Sequence, residues 1–74
     1  MSVKVQNVVA HIEAKGRATI KLDRSAGVSQ INIMRREFDR YVVRANPGSI
    51  TRSLTRVEMV NMLNDNSLYI NSWS

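Results

Sequence analysis

The run Asn46-Pro47-Gly48-Ser49 constrains this chain more than any other feature. Proline fixes its own φ, lacks an N–H and disfavours helix at the residue before it, and the glycine that follows permits a reversal. Whatever element precedes this point must end there. Downstream, Thr55 and Glu58 stand at capping-box spacing, and Val57, Met59, Val60, Met62 and Leu63 supply the apolar face of a short helix ending near Asp65-Asn66. Leu68, Ile70 and Trp73 then predict a last extended segment, at a sheet edge or across a partner chain.

Upstream, Val8, Ala10 and Ile12 alternate with Val9, His11 and Glu13, Lys15-Gly16 offers a turn, and Ala18, Ile20 and Leu22 alternate with Thr19, Lys21 and Asp23. This pattern predicts two half-buried strands joined as a hairpin. A helical face of Val5, Val8, Val9 and Ile12, closed by Gly16, competes with it, and the β-branched content favours strands. Asp23 to Gly27 reads as a turn. Between Val28 and Val43 two periods again compete. A helix would align Ile31, Met34, Phe38, Tyr41 and Val42 on one face and Arg36, Arg40 and Arg44 as a basic stripe on another. Two strands would put Ile31 and Ile33 on one side, reverse near Glu37 to Asp39 and resume at Tyr41-Val42-Val43, whose β-propensity selects this reading.

The expected fold is α+β, a small antiparallel β-sheet of hairpins followed by one short helix. A single small basic domain spans 1–74, organised from about Val3 to Trp73, with no repeat or linker. With 74 residues and no cysteine, neither a disulfide nor a thiolate metal site can staple so small a core, so a homodimer is expected. The absence of disulfides permits a cytoplasmic location, with association with the nucleoid as one form of it. No stretch approaches the ~20 apolar residues of a membrane span, and charges interrupt what would be a signal peptide's apolar core in the first sixteen residues. No membrane partner is expected.

Residues suited to catalysis are sparse. His11 is the only histidine, and nothing places a serine beside it. Asp23, Glu37, Asp39, Glu58 and Asp65 are scattered, and Gly16, Gly27 and Gly48 are isolated, so neither a carboxylate pair, a metal site nor a phosphate loop is indicated. The expectation is no enzyme, no metal and no cofactor.

Charge points elsewhere. The formal net charge is +5, and six arginines lie between Arg35 and Arg56 against only Glu37 and Asp39. A planar guanidinium that never loses its charge is the side chain best matched to phosphate. Arg35, Arg36, Arg40 and Arg44 surround Phe38 and Tyr41, while Lys15, Arg17 and Lys21 fall on the first hairpin, where a β-surface would carry them alongside. Cations following phosphates, with aromatic faces for bases, are what nucleic-acid binding requires. The competing reading makes the two aromatics core residues and the arginines a solvated face. Trp73 would be either a dimer contact or a stacking platform.

Residues 27 to 59, through GVSQINIMRREFD, NPGS and SLTRVEM, resemble the single-stranded-DNA-binding domain of the transcriptional coactivator positive cofactor four and its small bacterial and phage relatives. Ile31, Ile33, Arg35 or Arg36 and Phe38 stand at that family's first strand pattern, Pro47-Gly48 at its turn, and Ser53-Leu54 before its helix with Glu58-Met59. The chain departs from it at Ile50-Thr51-Arg52, at Met59, where the family has an aromatic, and at Met34, which shifts the strand spacing by one residue. The resemblance implies an antiparallel sheet, a dimerising helix and a curved basic β-surface that holds single strands without strong sequence preference.

The function expected is nucleic-acid binding, with single strands favoured, through Lys15, Arg17, Lys21, Arg35, Arg36, Phe38, Arg40, Tyr41 and Arg44, in transcription or replication. Two alternatives stay open. One is a small inhibitor or assembly factor whose arginines meet an acidic protein partner. The other is a helical duplex reader carrying Arg36, Arg40 and Arg44 into the major groove.

Overall fold

The chain begins with a helix where alternation predicted a strand. A computed structural model, which describes residues 2–46, 48 and 50–74, places helix α1 at Val3–Lys15. The Ser2 hydroxyl caps its start by accepting from the Val5 N–H at 3.1 Å. Gly16 closes it in the left-handed region at φ 78°, donating its N–H to Ile12 O at 2.7 Å. Val5, Val8, Val9 and Ile12 are all buried. A half-buried strand cannot bury Val8 and Val9 together, because neighbours in a strand face opposite ways. The propensity cost of β-branched residues in a helix is only a few tenths of a kcal/mol each, roughly, and a four-residue apolar stripe with two caps outweighs it.

The second half of the expected hairpin is a strand, β1 (Arg17–Leu22), and residues 28–43 follow the strand reading, as β2 (Gln30–Glu37) and the start of β3 (Arg40–Asn46). The reversal falls at Phe38-Asp39, and Asp39 takes φ 59°, a conformation that a short polar side chain tolerates best after glycine. The basic helical stripe of Arg36, Arg40 and Arg44 therefore does not form. Strand β3 ends at Asn46, as the Pro-Gly run requires, although Pro47 and Ser49 themselves lie outside the described residues.

Strand β4 (Ile50–Leu54) pairs with β3 and leads into helix α2 (Arg56–Asp65). The capping box forms as expected. Thr55 Oγ1 accepts from Glu58 N at 3.2 Å, and Glu58 Oε1 accepts from Thr55 N at 2.9 Å. Met59, Val60 and Leu63 are buried, Met62 is half-buried and Val57 is exposed. The chain then crosses to the far edge, turns through a 3-10 stretch at Ser67–Tyr69 that leaves Leu68 exposed, and adds β5 (Ile70–Trp73) beside β1.

The sheet order is β4-β3-β2-β1-β5, and every pairing is antiparallel. Both helices cover one face. Ala18, Ile20, Ile31, Ile33, Tyr41 and Val43 point into a single core with the apolar stripes of α1 and α2. The other face carries no helix. Thus the fold is α+β with an antiparallel sheet, but with two helices, the first of them preceding the sheet. The core closes within one chain. No helix among the described residues is long and apolar enough to cross a membrane.

Candidate functional site

Period-2 alternation decides what the uncovered face presents. In β1 the residues out of phase with the core are Arg17, Thr19 and Lys21; in β2 they are Gln30, Asn32, Met34 and Arg36; in β3 they are Arg40, Val42 and Arg44. The pairing registers stack them into rows across the sheet. One row runs Lys21, Gln30, Asn46; the next runs Thr19, Asn32, Arg44, Thr51; the third runs Arg17, Met34, Val42, Ser53. Ser74 extends the middle row, because its backbone exchanges two 2.9 Å hydrogen bonds with Thr19.

The second and third rows, short of Ser53, line an open trough of about 700 Å³. Arg17, Arg36 and Arg44 supply its charge, Thr19, Asn32 and Thr51 its hydrogen-bonding groups, and Met34 and Val42 its apolar floor; no lining residue is acidic. Lys21 and Arg40 lie toward the two ends of the face, Arg40 opposite Glu37. Across two strand spacings and one pleat repeat, the Cα atoms of Arg17 and Arg44 are about 12 Å apart. A β-bulge between Arg35 and Glu37 sets two residues against Arg40 and re-aims the end of β2.

The remaining residues expected at a binding surface fall elsewhere. Lys15 lies in the last turn of α1, not on a hairpin, where its charge favours the helix C-terminus. Arg35 turns to the helix side and pairs with Glu13 at 3.4 Å. Tyr41 is 1% exposed, a core residue with no face free for stacking. Phe38 is 88% exposed at the hairpin tip, in a smaller depression formed with Glu13, Asp39 and Arg56 rather than in the trough. Trp73 packs partly buried against the core at the β5 edge.

Glu13 is the polar anchor that the sequence did not reveal. Its carboxylate accepts from Tyr41 Oη at 2.9 Å and Arg56 Nε at 3.1 Å on one oxygen, and pairs with Arg35 on the other. The Tyr41 hydroxyl, followed by Arg56 and Arg35, holds the Glu13 carboxyl below the ordinary glutamate range against the opposing effect of burial. Burial, and then the bond to Glu13, raises the Tyr41 phenol above its ordinary value. Asp39 Oδ1 accepts from Arg56 N at 2.8 Å, so the hairpin tip is tied to the start of α2. These contacts take Arg35 and Arg56 away from a ligand and leave Arg17, Arg36 and Arg44 to the open face.

Thr19, Asn32, Met34, Val42 and Thr51 were not among the expected binding residues. The signal was present in the alternation: Thr19 and Asn32 lie out of phase with Ile20 and Ile31. It became readable only once the strands and their registers were known. Among the described residues, no group of three or more His, Cys, Asp or Glu side chains could hold a metal ion. No family model matches this chain, and comparison with curated proteins and with solved structures gives no match.

Proposed function

We propose that the protein binds single-stranded nucleic acid through its uncovered sheet face, without strong sequence preference. The observation that carries this reading is the trough, where Arg17, Arg36 and Arg44 surround neutral polar and apolar side chains with no acidic residue among them. Such a surface attracts a polyanion and repels a second copy of itself, since face-to-face pairing would set arginine against arginine.

Width favours a single strand over duplex. A major groove ~12 Å wide admits a helix or a two-stranded ribbon, whereas five strands at ~4.8 Å spacing span ~19 Å between their outer axes. The face is too broad to enter a groove, and it offers an unpaired strand a channel in which backbone and bases can both make contact. A role in transcription or replication in the cytoplasm or at the nucleoid suits this activity. Self-association into the expected homodimer would use apolar side chains outside the trough, such as Ile50 and Val57, which are 64% and 68% exposed.

The test is fluorescence anisotropy with labelled single-stranded and duplex oligonucleotides over a salt series. Tighter binding to single strands, weakening steeply with salt, is the expected result. Preference for duplex would overturn the geometric argument. No binding even at low salt would remove nucleic acid and assign the cations to an acidic protein surface.

A further inference from the structure

The trough has a floor unlike its rim. Met34 stands in the third row between Arg17 and Val42, and it is 47% exposed. One row away, Asn32 stands between Thr19 and Arg44. Its Oδ1 accepts from Gln30 Nε2 at 3.2 Å, so the amide oxygen is engaged and orients the group. The two Nδ2 hydrogens have no acceptor among the described residues. A thioether and a valine make a polarizable apolar seat, and the amide beside it offers its Nδ2 donors together with the second lone pair of Oδ1.

We propose that this floor seats one unpaired base of the bound strand, with Met34 and Val42 against the base plane and Asn32 Nδ2 donating to an acceptor on its edge. The inference rests on the single-strand reading of the same face and adds to it a base-contacting position. Arg17 and Arg44 lie on opposite sides of the seat, placed for the phosphates before and after the seated nucleotide. The trough, open and about 700 Å³ in volume, leaves room for a base above this floor. Every base carries an edge acceptor, a carbonyl oxygen or a ring nitrogen such as adenine N7, so Asn32 anchors the seated base without selecting its identity.

The experiment compares oligothymidylate, oligoadenylate and an abasic oligomer with the same number of phosphates, on the wild-type protein and on the Met34→Thr and Asn32→Ala variants. Thermal midpoints of both variants establish that they are folded; both positions lie on the uncovered face, outside the core. Oligothymidylate should bind about fivefold more tightly than the abasic oligomer, the factor that roughly 40 Å² of newly buried apolar surface gives. Met34→Thr should remove most of that advantage, and Asn32→Ala should shrink it. Equal binding of abasic and base-bearing oligomers would overturn the base seat and leave the phosphate-binding face standing. Failure of all three oligomers to bind at low salt would overturn both readings.

Discussion

Removing the Glu13 carboxylate separates the two kinds of interaction it makes. Glu13→Ala deletes the ion pairs with Arg35 and Arg56, whose side chains are 35% and 50% exposed. Partners that accessible contribute about 0.2–1 kcal/mol each. The same substitution takes the acceptor from the Tyr41 hydroxyl, which belongs to a residue only 1% exposed, and a stranded buried hydroxyl costs a further ~1–3 kcal/mol. The loss should therefore be about 1.5–5 kcal/mol by urea denaturation at pH 7. Tyr41→Phe alone should cost about 1 kcal/mol, because the carboxylate is 34% exposed and water replaces the lost donor. In the double variant the stranded hydroxyl is gone, so Tyr41→Phe made in the Glu13→Ala background should cost nothing or restore stability. Additive losses would refute the claim that the buried hydroxyl depends on Glu13. The acid limb supplies a second check. Since the folded-state pKa of Glu13 is depressed, its contribution is complete above the ordinary glutamate value of ~4.3 and is lost as pH falls through the lower folded value. The gap between wild type and Glu13→Gln should close in that range, and a gap that widened there would contradict the assigned direction.

Replacing Arg17, Arg36 and Arg44 together by glutamine should lower the slope of log affinity against log salt by about 2, at ~0.7 per phosphate on a single strand. An unchanged slope would remove these cations from the interface. Gly16→Ala should cost ~1 kcal/mol because the αL conformation at φ 78° disfavours a side chain even where nothing lies within 4 Å of the added carbon; chemical denaturation reads it. Thr55→Ala removes one half of the capping box and should cost ~1 kcal/mol, measured in the same way. Phe38→Ala, at a tip side chain 88% exposed, should change stability by no more than ~0.5 kcal/mol, and a larger loss would mean that the tip packs against something beyond its own chain.

Local signals were legible wherever the chemistry is local. The Thr55–Glu58 box, the stop at Asn46, the reversal near Asp39 and the extended Tyr41-Val42-Val43 run each depend on residues within a few positions of one another, so the sequence alone determines them. The basic, cysteine-free character that points to an anionic partner is equally a property of the chain. Only tertiary structure decided α1, because Val5, Val8, Val9 and Ile12 gain stability from burial on a sheet whose strands lie later in the chain, and that gain overrides a weak β-propensity. It also decided the site. Arg35 and Arg36 are adjacent and chemically identical, yet the pleat sends one to Glu13 and the other to the open face. Thr19, Asn32, Arg44 and Thr51 are scattered along the sequence and form one row only through the registers of β1 to β4. A face made of side chains on four strands is a cross-strand property, and it exists only when burial of the opposite face has selected which residues point outward.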